Sequence, residues 1–160
     1  MDRWINTSDT FSPLSETSAW NATGNTAFHV AVSTHNAGLL NLCIRHCPGE
    51  MHSLNADRKT PFTLAVIEDD TEQVSILIKA GANLNQPDGS CDLTPLAYSS
   101  LHIDTHTMEV LLKAGADVKG WDQNPKRETV LHQMAYLGRH SHVALLMRYG
   151  ECLFAHIFLT

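Results

Sequence analysis

The chain contains one short phrase four times, at nearly constant spacing. The phrases read T-A-F-H-V-A, T-P-F-T-L-A, T-P-L-A-Y-S and T-V-L-H-Q-M, and their first residues are 34, 34 and 35 positions apart. These first residues are Thr26, Thr60, Thr94 and Thr129. The residues 21 positions further on are Cys47, Gly81, Gly115 and Gly150. A period in the mid-thirties with two constant anchors is typical of a stacked array of similar units and argues against a domain with one central core.

Each unit predicts two short helices. The first begins at the threonine, whose hydroxyl can accept hydrogen bonds from the amides of the first turn. Pro61 and Pro95 then occupy the first helical position, where proline is tolerated. The second helix carries apolar residues at helical spacing, and Cys43, Leu77 and Leu111 share one inward-facing position in it. Glycine just beyond this helix favours a left-handed C-cap. Neither helix can bury its apolar face alone, so neighbouring units must stack.

With these features the sequence resembles the ankyrin repeat. The resemblance rests on the four phrases, which approximate the family's T-P-L-H-x-A, and on two nearly identical strings, I-K-A-G-A-N at Ile78 to Asn83 and L-K-A-G-A-D at Leu112 to Asp117. It implies an all-α solenoid of stacked antiparallel helix pairs, with projecting hairpin-like loops and a concave face formed by the first helices and loop tips. The ankyrin-repeat domain is expected over residues 22–153, with repeats at about 22–55, 56–88, 89–122 and 123–153.

Three repeats depart from the family pattern. The first has Cys47 followed by Pro48 in place of the terminal glycine, so we expect an irregular exit loop there. The third and fourth differ at positions that the family fills with histidine, alanine or proline. The residues concerned are Ala97, Ser99, Val130 and Met134.

Residues 1–21 and 154–160 flank the repeats and differ in composition. The first segment is rich in Ser, Thr and Asn but contains aromatic residues, so it is either a tail or an irregular cap over the first repeat. The second belongs to the strongly apolar string C-L-F-A-H-I-F-L-T. Because the ends of a solenoid need a covering surface, we expect this string to fold back on the fourth repeat. The alternative is that it forms a weak dimer or contacts a partner.

The composition argues against several classes of protein. A formal net charge of −6 and a pI of about 5.9 are unfavourable for a nucleic-acid-binding protein, which normally presents a basic surface to phosphates. No segment approaches the run of about 18 apolar residues that spans a bilayer. The start of the chain lacks the apolar core of a secretory signal. We therefore predict a protein of the cytoplasm, the nucleus or both, with free cysteines and no cofactor.

The resemblance also indicates where a partner would bind. In ankyrin repeats the seventh and eighth residues after the threonine point from the first helix into the concave groove. Here they are Ser33 and Thr34, Ile67 and Glu68, Leu101 and His102, and Tyr136 and Leu137. Successive repeats thus place Ile67, Leu101 and Tyr136 in one row, with Leu137 beside them. The fold would accept polar residues at these positions, so an apolar row favours a groove that binds a protein.

Loop residues extend this candidate site. Trp121 lies on the longest predicted loop and is a candidate anchor, because an aromatic ring is costly to expose without use. Asp57, Lys59, Lys126 and Glu128 form a candidate charged rim that would affect the association rate and specificity.

Histidines and cysteines are the residues most able to bind metal or take part in catalysis. His29 and His132 lie at the histidine of the repeat phrase, where the resemblance implies hydrogen bonds between neighbouring repeats. A second group lies within ten residues and consists of Cys43, His46, Cys47 and His52. A metal- or redox-responsive protein that uses this group is the alternative from a different class. No phosphate-binding loop, nucleophile elbow or metalloprotease motif occurs, so we predict that the protein is not an enzyme.

Two longer strings are similar to repeats of the IκB family, including the small viral IκB-like ankyrin proteins. They run from Gly24 to Val32 and from Leu64 to Asn85. This resemblance implies a non-catalytic module that binds a Rel/NF-κB transcription factor and blocks its nuclear entry or its contact with DNA. In a virus it would act on a host protein. A substrate-recruiting adaptor is an equally compatible interaction module.

Overall fold

The computed structural model describes residues 23–89, 93–118 and 129–150. In these residues eight α-helices form four consecutive pairs, as the repeat period predicts. The helices are α1 Ala27–Ser33, α2 Ala37–His46, α3 Pro61–Ile67, α4 Thr71–Lys79, α5 Pro95–Ser99, α6 His106–Lys113, α7 Val130–Tyr136 and α8 His140–Arg148. Helices α1, α3 and α5 pack in a row, as do α2, α4 and α6. The flanks predicted at 1–21 and 154–160 lie outside the described residues.

The all-α ankyrin class is confirmed. The described part of the chain has no β-strand and a single isolated bridge, between Asp88 and Leu93 in a loop. The shared position of the second helices is inward-facing, as expected: Leu77 and Leu111 have no exposed surface and Cys43 is also buried. Leu146 continues this row in the fourth repeat. One apolar core therefore runs through all four repeats and holds the first helices against the second.

The predicted helix starts are confirmed in the second and third repeats. The Thr60 hydroxyl accepts a hydrogen bond from the Thr63 N–H at 3.1 Å, and the Thr94 hydroxyl accepts one from the Ala97 N–H at 3.3 Å. Each threonine precedes a proline at the first helical position. These caps satisfy amides that the helix itself leaves without partners.

The helix ends are also as predicted. The backbone φ is +93° at Gly81, +92° at Gly115 and +108° at Gly150, which is the left-handed region that favours glycine. Cys47 instead has a φ of −134°, and the chain continues into a 3₁₀-helix over Pro48–His52. The irregular exit from the first repeat follows because a side chain at this position disfavours the left-handed cap.

His29 ties the first repeat to the second. The Thr26 N–H donates to its Nδ1 at 3.2 Å, so Nδ1 carries no proton and the Nε2–H donates to the Lys59 carbonyl at 2.9 Å. Burial lowers the pKa of His29, which stays neutral. The inter-repeat role implied for His29 by the family resemblance is thus confirmed. At His132 the ring nitrogen Nδ1 lies 3.0 Å from the Thr129 hydroxyl.

The second repeat has no histidine at this position and uses a carboxylate instead. Asp88, in the loop before the third repeat, is buried and accepts a hydrogen bond from the Thr60 N–H at 2.8 Å. Burial raises the pKa of Asp88, although the Thr60 amide favours its charged form. Two different side chains therefore make the same connection between a helix start and the following loop.

A second set of polar bonds joins neighbouring repeats near the ends of the first helices. Two of the carbonyls there already accept a turn N–H, from His35 to Val32 at 2.8 Å and from Asp69 to Val66 at 3.1 Å, and a carbonyl oxygen can accept a second hydrogen bond. Each of three such carbonyls is approached by a side chain of the next repeat: Gln73 Nε2 lies 3.3 Å from the Val32 oxygen, His102 Nε2 lies 2.9 Å from the Val66 oxygen, and Arg139 Nη1 lies 2.9 Å from the Ser100 oxygen. The three carbonyls hold equivalent places in their repeats, so the stacking is reinforced at one recurring point.

The turn between the two helices of the third repeat differs from the other three. The ninth residue after the threonine has a positive φ elsewhere, with values of +49° at His35, +56° at Asp69 and +68° at Gly138. Ile103 holds this place in the third repeat and is not among the positive-φ residues. A β-branched residue is strongly disfavoured in that region. Helix α5 consequently ends at Ser99 and α6 begins only at His106, which leaves six residues between them.

Candidate partner-binding surface

The predicted apolar row is largely exposed. The exposed fraction is 58% for Leu101, 91% for Tyr136 and 53% for Leu137. Ile67 differs, because it is partly buried and packs against the core. The row therefore has two parts. Ile67 of the second repeat is partly buried, and the three side chains of the third and fourth repeats are exposed.

The expectation that every row residue lies on a first helix is corrected for the third repeat. Leu101 and His102 follow the last residue of α5 and belong to the turn, because Ile103 prevents the compact turn of the other repeats. His102 uses its Nε2 to contact the Val66 carbonyl, so part of its role is to hold the repeats together. Leu137 is the C-cap residue that directly follows α7.

Glu68 is the charged member of the predicted site. It is half-buried, and its Oε2 atom is buried without a hydrogen-bond partner. Burial raises the pKa of the Glu68 carboxyl. A carboxylate in this state gains more from a cation than one that is fully hydrated.

The two residues after Glu68 already have partners within the protein. Thr107 donates to the Asp69 carboxylate from the next repeat. Asp70 caps α4 by accepting from the Gln73 N–H at 3.0 Å, and it lies 2.8 Å from His35 Nδ1. Burial works to raise the pKa of Asp70, but these hydrogen bonds outweigh it and lower the pKa. Hydrogen bonding to Asp70 raises the pKa of His35.

The rim residues Asp57 and Lys59 lie in a tight loop. The Asn55 side chain accepts from both of their backbone amides, each at 3.0 Å, and Arg58 at the tip has a φ of +56°. The Gly89 N–H in the next loop donates to the Arg58 carbonyl at 2.6 Å. The structure thus holds these two rim residues on stacked, hydrogen-bonded loops.

The remaining predicted residues lie outside the part of the chain that the structure describes. They are Trp121, Lys126 and Glu128. Their participation in the surface stays a prediction.

The cysteine and histidine group does not assemble into a metal site. Within the described ranges, which include Cys43, His46, Cys47 and His52, no three His, Cys, Asp or Glu side chains are placed to hold a metal ion. Cys43 is buried, and burial raises the pKa of its thiol, which disfavours the reactive thiolate. The geometry therefore gives no support to the metal- or redox-responsive alternative. Among the helices described, none has the length and apolar character required to cross a bilayer.

Ile103 is a surface residue that the sequence reasoning missed. Its side chain is 89% exposed, close to that of Tyr136 and above that of the other large aliphatic residues described. The available signal was its position in the repeat, where His35, Asp69 and Gly138 all tolerate a positive φ and isoleucine does not.

Comparisons with known proteins agree with this architecture. A sequence model of ankyrin repeats, in three copies, matches residues 28–120. A comparison with curated proteins gives no significant match. The fold is similar to the crystal structure of the ankyrin repeat domain of Bcl-3, described as a unique member of the IκB protein family, with a TM-score of 0.78 and 25% sequence identity. That match covers 85% of this chain but only 60% of the Bcl-3 structure.

Ankyrin repeats are protein-interaction modules. The ankyrin sequence model matches more than half of this chain. It spans 93 of the 160 residues, from the first helix of the first repeat to the loop after the third. The helix pairs, caps and inter-repeat hydrogen bonds are those of a stacked array. This chain belongs to the ankyrin-repeat family.

Proposed function

We propose that this protein is a non-catalytic interaction module that binds one protein partner along the concave face and loop tips. We propose further that it is an IκB-like inhibitor of a Rel/NF-κB transcription factor. It would act in the cytoplasm, the nucleus or both, by blocking nuclear entry of the factor or its contact with DNA.

The observation that carries the proposal is the exposed apolar row. Leu101, Tyr136 and Leu137 each expose more than half of their side chains on adjacent repeats. Clustered exposed aliphatic and aromatic side chains are unfavourable in water and are typical of the centre of protein interfaces. Nothing in the stacking of the repeats requires an aromatic ring at Tyr136, which is 91% exposed.

The charge of the surface supports a partner with a basic segment. Glu68 lies at the end of the row nearest the first repeat and lacks a hydrogen-bond partner at Oε2. The whole chain has a formal net charge of −6. A partner segment that carries Lys or Arg would be attracted over distance and would supply the missing counter-charge at Glu68.

The IκB-like part of the proposal rests on similarity. The Bcl-3 ankyrin domain is a member of the IκB family and has the same fold at 25% identity. Because this chain spans about 60% of that domain, a partner shared with the IκB family would have to be held by fewer repeats.

The test is a binding measurement with a purified Rel-homology-region dimer. The wild-type chain is compared with the double variant Leu101→Ser/Tyr136→Ser and with the control Leu42→Ser, whose leucine is 51% exposed on α2. Circular dichroism confirms that all three are folded. We expect the double variant to bind at least about tenfold more weakly and the control to bind like the wild type.

Other outcomes separate the two parts of the proposal. Absence of binding to the Rel dimer, together with groove-dependent capture of another protein from a eukaryotic lysate, would favour the substrate-recruiting adaptor. Equal binding by the wild type and the double variant would place the contact elsewhere than in the groove.

A further inference from the structure

The long turn Ser100–Thr105 places an apolar side chain at the edge of the array, away from the loop tips. Ile103 is 89% exposed there, and Leu101 in the same turn is 58% exposed. The other three repeats close their helix pairs with three residues, for example Glu68 to Asp70 between α3 and α4. The third repeat alone uses six.

This turn is held in place by the next repeat. Arg139 donates from Nη1 to the carbonyls of Ser100 and His102. Beside it His142 is 2% exposed, and burial together with the charge of Arg139 lowers its pKa, so a neutral ring packs there. A turn anchored through two backbone carbonyls presents Ile103 in a defined position, which reduces the ordering entropy that binding would otherwise cost.

The neighbouring turns differ in charge. His102 contacts the Val66 carbonyl and Thr107 donates to Asp69, so the turn Glu68–Asp70 of the second repeat lies on one side. On the other side lies the guanidinium of Arg139 in the fourth repeat. A shallow hollow of about 310 Å³ adjoins the Arg139 side and is lined in part by Ile103 and His140. The apolar side chain therefore lies between an acidic and a basic neighbour, an arrangement that can orient a partner of complementary charge.

We propose that the turn Ser100–Thr105 is a second recognition element, which inserts Ile103 into an apolar pocket on a protein partner. The partner would present a cationic group to the turn of Glu68 and an anionic group to Arg139. This inference rests on the proposed function as an interaction module, and it extends the contact from the groove to the helix–turn edge. A lipid surface is less favourable, because four carboxylates lie at or beside the turn: those of Glu68, Asp69, Asp70 and Asp104.

The test is photo-cross-linking of the full chain in a eukaryotic lysate. The cross-linking amino acid p-benzoylphenylalanine replaces Tyr136, Ile103 or Leu42 in turn. The protein cross-linked from position 136 is identified and purified, and its dissociation constant is measured for the wild type, Ile103→Thr and Leu42→Thr. Thermal unfolding of each variant is recorded in parallel. Threonine is β-branched like isoleucine and disfavours the positive φ found at Asp69, so Ile103→Thr should keep the six-residue turn and fold normally.

We expect the same partner to cross-link from positions 103 and 136 but not from 42. Ile103→Thr should weaken binding at least about tenfold with an unchanged melting temperature, and Leu42→Thr should change it less than about twofold. Binding by Ile103→Thr within twofold of the wild type overturns this inference and leaves the groove proposal standing. If the Ile103 variant binds weakly and the double variant Leu101→Ser/Tyr136→Ser binds like the wild type, this inference stands and the groove proposal is overturned.

Two further outcomes are decisive. Ile103-dependent sedimentation of the chain with phosphatidylcholine or phosphatidylserine vesicles, without a protein cross-link at position 103, would assign the turn to a membrane and overturn the inference. Failure to cross-link any protein from either position 103 or position 136 would overturn both proposals.

Discussion

The Nε2–H of His29 donates a hydrogen bond of 2.9 Å to the Lys59 carbonyl, across the boundary between the first two repeats. The two bonds of His29 together require a neutral ring, because Nδ1 can accept from the Thr26 N–H only when it carries no proton. Stacking at this boundary is therefore linked to the protonation state of one fully buried histidine.

The first prediction concerns pH. The pKa of His29 is lowered in the folded protein from an ordinary value of 6.5, so below about pH 6.5 the unfolded chain binds more protons than the folded one. The stabilisation is complete above pH 6.5 and is lost as the pH falls through 6.5 towards the folded pKa. We expect the free energy of unfolding to decrease between pH 7.5 and pH 5.5, measured by urea denaturation. The variant His29→Gln should be less stable at pH 7.5 and show a flatter dependence.

The control for the pH experiment is His35→Asn. The pKa of His35 is raised by Asp70, so its contribution has the opposite sign: present below pH 6.5 and lost as the pH rises through the folded pKa. In His35→Asn the free energy of unfolding should therefore fall more steeply between pH 7.5 and pH 5.5 than in the wild type. An unchanged pH slope in His29→Gln would show that another group is responsible.

The second prediction concerns the continuous core. Leu111 has no exposed surface and lies between the helices of the third repeat, so Leu111→Ala should cost about 2–5 kcal/mol of unfolding free energy. Leu42→Ala, at a 51% exposed position, should change it by less than about 0.5 kcal/mol. Chemical denaturation followed by circular dichroism measures both. Similar losses for the two variants would contradict the assigned core.

The third prediction separates binding from stability. Tyr136 is 91% exposed, so Tyr136→Ala should leave the melting temperature nearly unchanged while weakening partner binding. Differential scanning fluorimetry and a binding titration are run on the same sample. If the variant melts well below the wild type, Tyr136 supports the fold and its assignment to the groove is wrong.

The fourth prediction concerns one glycine in the loop before the third repeat. Gly89 has a φ of +80°, and a Cβ atom there would lie 2.3 Å from the Tyr98 hydroxyl oxygen. Gly89→Ala should therefore destabilise the protein by about 1–3 kcal/mol through backbone strain and overlap. Gly49→Ala, with nothing within 4 Å of the added atom, should have little effect.

A second-site variant distinguishes the two contributions at Gly89. Tyr98→Phe removes the oxygen that the new Cβ would meet, at the expense of the hydrogen bond to the Asp88 carbonyl. If overlap matters, Gly89→Ala should cost less in the Tyr98→Phe background than in the wild type. Equal costs in both backgrounds would attribute the whole effect to the positive φ.

Residues of the candidate site were predictable to different degrees. The exposure of Tyr136 and Leu137 followed from their place in the repeat, whereas Ile67 packs more closely against the core than its place in the row suggested. Ile103 was missed because the six-residue repeat phrase ends before it. The phrase therefore does not indicate which backbone φ the ninth residue after the threonine must adopt. That angle decides where Leu101 lies and how far the turn extends.

The sequence by itself determined the number of repeats, the two helices in each, and the start and end of most of them. These features depend on interactions within a few residues: a threonine hydroxyl on nearby amides, a proline at a first turn, and a glycine that accepts a left-handed angle. Local chemistry of this kind can be read from spacing alone.

Apart from His29, whose role the family resemblance implied, only the tertiary structure decided which side chains join one repeat to the next. His29 serves at the first boundary and Asp88 at the second, while the carbonyl of Ser100 is bound by Arg139. The partners in each pair are 28 to 39 residues apart, so their meeting depends on how the repeats stack. Several side chains of different chemistry can satisfy the same buried carbonyl or amide, and packing selects the one that reaches it.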